Sequence, residues 1–285
     1  MGNALRYVSQ ENQKNIVRIL EGLTGAYSRW DIWRDFIIMS AVSIANVIGG
    51  PYRDKREELY LTHAGKYSPK DIQAFPAMFY EIVAAMENDP ENDFLGELFM
   101  VLGMGNEWKG QVFTPYSLCR MMAAMTYGKH VEEQIKQDGW ITVNDPACGA
   151  GALLIAFANE CRQRQINYQT SVLFVAQDID LLAGCMCYIQ LSLMGCPGYV
   201  VIDDTLLHPS MSHDKRGLLP QNSENVWFTP MYFRDIWHHR RICAKMDLCF
   251  QSAAAPSLKA AGNGPQKQPI KTGFASTKTG QLTLF

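Results

Sequence analysis

The sequence predicts an α/β fold, with an open, mostly parallel sheet following a helical amino-terminal region. Three observations carry this. First, the turn Asp145-Pro146-Ala147-Cys148-Gly149-Ala150-Gly151 stands between a short apolar strand, residues 140–143, and an apolar helix, residues 152–158. Open α/β sheets place their ligand crevice at such a junction. Second, two further apolar strands (residues 174–179 and 200–206) flank an apolar helix over 181–194, the alternation from which parallel sheets are built. Third, the first hundred residues carry apolar side chains at helical spacing. With 47% hydrophobic residues in 285, the chain can bury a large core.

In chain order, helices are expected over residues 10–23, 30–48 and 75–86. Gly49-Gly50-Pro51 stops the second, and Ser68-Pro69-Lys70-Asp71 reads as a cap with proline in the first turn. The apolar run over 36–50 is interrupted by Ser40, Ser43 and Asn46 and is too short to span a bilayer, so it reads as a buried helix. Arg29, Arg34, Arg53, Lys55 and Arg56 form either a phosphate-binding face or, more commonly, a solvated surface. A basic helix is expected over 234–245 with His238 and His239 toward solvent. Cys185, Cys187 and Cys196 lie in or beside an apolar helix at spacings unlike those of zinc sites. They read as small core residues, and no metal is expected.

Glycines in a tight strand-to-helix turn let backbone approach a ligand closely, which suggests a nucleotide-like cofactor. A lone Gly-x-Gly is weak, because purely structural glycine turns are more common. Here it has companions. Phe174-Val175-Ala176-Gln177-Asp178-Ile179 ends a strand on an acid, and a carboxylate there can accept from both ribose hydroxyls.

The loop Asp-Pro-Ala-Cys-Gly-Ala-Gly closely resembles that of S-adenosylmethionine (SAM) dependent DNA adenine methyltransferases, in particular the modification subunits of type I restriction-modification systems. Gly110-Gln111-Val112-Phe113-Thr114-Pro115 resembles the family segment contacting the methionine end of SAM, and residues 92–97 resemble the segment preceding it. Val200-Val201-Ile202-Asp203-Asp204-Thr205-Leu206 is similar to the third strand, normally ending Gly-Asp-Thr-Leu. The resemblance spans roughly residues 92–206. It implies a class I SAM-dependent methyltransferase (Rossmann-like) fold, with a seven-stranded, mostly parallel sheet behind the helical domain. It also implies methylation of adenine N6 in DNA, with Phe113, Thr114, Pro115, Asp145, Pro146, Ala147, Gly149, Gly151, Asp178, Ile179 and Asp204 holding SAM.

The chain departs from this pattern at one point. The family's catalytic tetrapeptide, Asn-Pro-Pro-Tyr or Asn-Pro-Pro-Phe, is absent from the sequence. Its Asn side-chain oxygen and the following carbonyl accept from the target amine, and its aromatic ring stacks on the flipped base. The nearest segment by position, Thr229-Pro230-Met231-Tyr232, keeps the first proline and the ring but replaces the carboxamide with a hydroxyl. Losing one preorganised acceptor costs about 3 kcal/mol. Thr229, Pro230 and Tyr232 are either a degenerate catalytic motif or core residues beside a loop proline. The function expected is therefore SAM-dependent DNA adenine methylation or, alternatively, a catalytically weak or inactive SAM-binding adaptor associated with DNA or with the replication sliding clamp.

The net charge is −2, with 26 basic and 28 acidic residues, which is unlike a stand-alone nucleic-acid binder. Setting aside Lys259, Lys267, Lys271 and Lys278 leaves 22 basic residues against 28 acidic. Any DNA groove must then be a local patch, and the resemblance implies a separate specificity subunit for sequence readout. Eight cysteines without a Cys-x-x-Cys pair indicate reduced thiols in a cytoplasm. No secretory signal or membrane span is expected.

The expected organisation is a helical domain (1–105), a methyltransferase-like domain (106–250), a disordered linker (251–280) and a terminal peptide (281–285). The linker is rich in Ala, Gly, Ser, Pro, Gln and Lys. The peptide, Gln281, Leu282, Thr283, Leu284 and Phe285, resembles the sequence by which bacterial polymerases and repair proteins bind the sliding clamp. The other reading of it is a terminal strand or patch docking on this protein's own body.

Overall fold

A computed structural model describes residues 10–103, 113–221, 223–254, 275–276 and 282–283. The described residues up to Lys245 make one compact unit and those from Met246 a second. In the first, α1 (Glu11–Leu23), α2 (Arg29–Ile48), α3 (Arg53–Ala64), α4 (Ala74–Asn88) and α5 (Phe94–Val101) precede α6 (Tyr116–Thr126) and α7 (Lys129–Asp138). Then come β1 (Ile141–Asp145), α8 (Ala152–Gln163), the single-turn α9 (Tyr168–Ser171), β2 (Val172–Asp178), α10 (Leu181–Leu193), β3 (Gly198–Ile202) and β4 (Val226–Phe228). The long helix α11 (Asp235–Ala254) runs from the first unit into residues of the second.

The start signals act as expected. Ser28 accepts from Asp31 N at the head of α2, and Ser68 Oγ accepts from Asp71 N. Gly49, with φ +80, closes α2 in a conformation that L side chains rarely adopt. Helix α2 is apolar nearly all round and buries eleven residues, packing on both α3 and α10. The helical region and the sheet therefore share one core.

The sheet has the order β1-β2-β3-β4, with β1 parallel to β2, β2 parallel to β3, and β4 antiparallel to β3. It differs from the expected seven-stranded, mostly parallel sheet. Four strands are present among the described residues of this unit, and the last of them runs the other way. After β3 the chain does not cross over through a helix. It passes through the irregular segment 203–225 and returns as β4, a connection that places the next strand antiparallel.

Side chains alternate across β2. Val172, Phe174 and Ala176 join the helical core, while Leu173 and Val175 join a second cluster with Tyr199, Leu218, Tyr232 and Trp237 on the other face. Of the seven residues of β2 all but the end residue Asp178 are fully buried, as a strand covered on both faces requires.

In the second unit, β5 (Ala275–Ser276) pairs antiparallel with β6 (Leu282–Thr283). Residues 251–254 are helical, inside the stretch read from composition as linker. No helix among the described residues is long and apolar enough to cross a membrane.

Candidate functional site

The carboxyl ends of β1 and β2 carry the expected loop. Cys148 N donates to Gln177 O (2.9 Å) and Gly151 N to Cys148 O (2.8 Å), folding residues 145–151 back over the end of β2. Gly149 and Gly151 have φ +53 and +96, and both positions are crowded from inside. A Cβ at Gly149 would stand 3.1 Å from the Phe113 ring, and one at Gly151 would stand 2.9 Å from Cys187 Sγ. The glycines are thus required by the loop's own packing as well as by its conformation.

Asp178 Oδ2 accepts from Gly149 N (2.8 Å) and Oδ1 from Asp180 N (2.9 Å). Each carboxylate oxygen retains a lone pair beyond its backbone bond. Asp204 Oδ1 accepts from Leu206 N and Leu207 N, capping its own turn, while Thr205 Oγ1 donates to Pro146 O at 2.6 Å. That bond ties the loop after β3 to the loop after β1. Ile179 is 71% exposed.

These elements frame a cleft of about 180 Å³ whose walls include Asp93, Phe113, Thr114, Asp145, Ala147 and Gly149. An adjoining cavity of about 600 Å³ shares Asp93, Phe113 and Thr114 and adds Glu97 and Pro115. The smaller cleft lies below the roughly 300–1,000 Å³ usual for whole ligands, so it suits one end of a larger molecule. Its lining holds two carboxylates and no cation. Burial pushes the carboxyls of Asp93, Asp145 and Glu97 above the usual carboxylate range, because removal from water disfavours the charged form.

Two contributors were not legible as site residues. Asp93, which caps α5 through Gly96 N (3.0 Å), lines both cavities. Gln190, fully buried in α10, donates to Asp93 Oδ1 (2.7 Å) and Ala150 O (2.8 Å) and accepts from Leu95 N (3.1 Å). It joins three elements that are distant in sequence. The signal available for Asp93 was the segment 92–97 itself; nothing local marks Gln190.

The residues expected to meet a target base lie elsewhere. Thr229 is fully buried. Its Oγ1 donates to Cys196 O (2.7 Å) and accepts from Gly198 N (3.1 Å), at the first residue of β3. The glycine loop sits beyond the opposite ends of the strands, since Asp178 pairs with Ile202. At ~3.3 Å per residue, the length of β3 alone separates the two ends by about 13 Å.

Pro230 opens a short 3-10 turn, and Tyr232 is buried with its hydroxyl donating to Leu218 O at 2.6 Å. Thr229 and Tyr232 are buried and hydrogen-bonded in the interior, because β4 runs antiparallel and delivers residues 229–232 to the amino-terminal side of the sheet. Leu282 is in β6; Gln281, Leu284 and Phe285 lie outside the described residues.

Four of the five basic residues singled out in the helical region are engaged within the protein. Arg34 pairs with Asp31 and Asp35, Arg29 with Glu21, and Lys55 with Glu224. Arg56 is buried over the Trp227 ring at 4.8 Å. Cys185, Cys187 and Cys196 are fully buried, and no metal-holding group of His, Cys, Asp or Glu occurs among the described residues.

A family model described as N-6 DNA Methylase matches residues 98–261 of the 285-residue chain. No curated protein matches it.

Proposed function

Because the chain belongs to the N-6 DNA methylase family, we propose that it binds SAM across the ends of β1 and β2, as the methyl donor for adenine N6 in DNA. One observation carries this reading: a cleft walled by Asp93 and Asp145, without a cation, beside a left-handed glycine loop. The cofactor's ammonium and sulfonium groups are cations, and the cleft supplies two carboxyls, Asp93 and Asp145, with no basic residue in its lining, so a bound cation would favour their ionised form. Bound there, SAM supplies an electrophilic methyl group.

Around it, Asp145 and Asp93 hold the amino-acid end and Phe113, Thr114 and Pro115 close that end. Pro146, Ala147, Gly149 and Gly151 present backbone, Asp178 accepts from the ribose, and Ile179 and Asp204 flank the adenine. Calorimetry tests this: saturable SAM binding is expected, weakened by Asp178→Ala. Gly149→Val is expected to abolish it through the Phe113 ring and the positive φ. No heat at millimolar SAM rejects the reading.

The placement of Thr229 favours a second reading of what the bound cofactor does. With residues 229–232 committed to packing at the far end of the sheet, the chain acts as a catalytically weak or inactive SAM-binding adaptor associated with DNA or, through residues 281–285, with the sliding clamp. Methylation-sensitive digestion of DNA from cells expressing this chain alone separates the two. A peptide spanning residues 279–285 mixed with bacterial clamp tests the tail, with a dissociation constant in the micromolar range expected (about −8 kcal/mol). A separate specificity subunit remains part of the first reading.

A further inference from the structure

Among the described residues, β1 has a strand neighbour on one side only. Burial agrees. In β2 every residue but the last is buried, whereas in β1 only Ile141 is, and Asn144 is exposed. An open strand edge presents unpaired N–H and C=O groups and templates pairing with another strand.

Beside it, α6 is apolar on two sides. Tyr116, Cys119 and Ala123 are buried, and the helix packs on α8. On its other side Leu118, Met121, Met122 and Met125, spaced i, i+3, i+4 and i+7, are 41%, 54%, 40% and 77% exposed. Met122 lines the same cleft as Asp145, so this stripe adjoins the carboxyl end of β1. A helix with apolar residues on both faces belongs in an interior.

Charge selects the occupant. Along the amino-terminal half of β1 runs a cavity of about 490 Å³ lined by Ile141, Thr142 and the exposed Lys215 and Arg216, two cations against the single carboxylate of Asp138. The carboxyl end of β1 carries Asp145 and the acidic cleft. A strand parallel to β1 from a like chain would set cations beside cations. An antiparallel copy, centred on Val143, sets Ile141 opposite Asp145 of the other chain and brings the cationic end of each strand to the acidic end of its neighbour. A two-fold axis makes the same match twice.

We propose that two copies of this chain pair through their β1 edges about such an axis. The two four-stranded sheets become one continuous sheet, and the Met121 and Met125 stripes of the two α6 helices pack against each other on one face. Lys215 and Arg216 of each copy flank the mouth of the other's cleft. Nothing in this pairing depends on methyl transfer.

Sedimentation of the full chain tests it, with a mass twice 32.1 kDa expected. Met121→Asp combined with Met125→Asp should raise the dissociation constant about 100-fold or more, equivalent to about 2.7 kcal/mol, with SAM binding retained. Lys215→Glu should weaken the dimer, and salt should do the same.

If the methionine variant fails to fold, a cross-link decides. Directly opposed residues of an antiparallel pair stand about 4.5–5.5 Å apart at Cα, within disulfide range. Val143→Cys, in a chain also carrying Cys243→Ser and Cys249→Ser, should therefore form an intermolecular disulfide, whereas Leu61→Cys in the same chain should not. A monomer at every concentration overturns the proposal. So does a dimer that tolerates the methionine substitutions and gives no Val143 cross-link, because its contact lies elsewhere.

Discussion

At Asp145, the proposed ligand-holding role sets one carboxyl against the stability of the fold. Its pKa is raised by burial, partly offset by the Ala147 N–H at 3.2 Å. A carboxyl with a raised folded pKa adds stability in its protonated form, and that contribution is lost as the pH rises through the folded value. The ligand-free protein should therefore gain stability as the pH falls below neutral toward the acid range. SAM affinity should fall over the same window. Asp145→Asn keeps the acceptor for Ala147 N and removes the charge, so it should raise the ligand-free melting temperature by a few degrees while weakening SAM about tenfold. Thermal scans with and without cofactor check both signs; a substitution that lowers both would mean that Asp145 holds the loop instead of a cation.

Thr229 gives the opposite expectation. Thr229→Val keeps the shape but leaves Gly198 N and Cys196 O without their side-chain partner. A loss of about 1–3 kcal/mol in denaturant unfolding is expected, with SAM affinity unchanged.

At the scale of elements, the glycine loop stands on a helix cap. Asp93 caps α5, Gln190 from α10 holds Asp93, and the same amide holds Ala150. Gly96 sits so close to the Asp93 carboxylate that a Cβ there would overlap it. Gly96→Ala should therefore displace Asp93, loosening the α5 cap and the loop together. A drop in SAM affinity of about tenfold is expected alongside a lost cap of about 1 kcal/mol, whereas a purely local cap would leave the affinity untouched. Gln190→Leu removes three buried hydrogen bonds and should destabilise by about 3 kcal/mol or more. Both are readable by calorimetry and chemical denaturation. At the start of β3, Gly198 allows the strand to approach Phe174 O more closely than any side chain permits, so Gly198→Ala should prevent the β2–β3 pairing from forming.

For the whole molecule, the excess of acidic over basic residues and the dispersal of Arg29, Arg34 and Lys55 into separate ion pairs leave no broad basic face among the described residues of the helical region. Free DNA affinity of the isolated chain should be weak and lost by about 0.2 M salt, measurable by fluorescence anisotropy. Tethering, as by a clamp-bound tail, raises effective concentration without new contacts.

Local pattern sufficed for the glycine loop at residues 145–151, the acid ending β2, the helices over residues 11–48 and 74–88 and the buried cysteines of α10. Each depends on short-range rules: period, caps and the φ that only glycine accepts readily. The number and direction of strands did not follow from pattern, because an apolar triplet such as Val226-Trp227-Phe228 reads the same whether it runs parallel or antiparallel. Its direction was settled by the irregular path of residues 203–225 and by Thr229 meeting Gly198. The same path placed residues 229–232 far from the cleft. Gln190 and Asp93 met across nearly a hundred residues, and among the described residues the edge of β1 stood open, through long-range packing alone, to which no window of the chain has access.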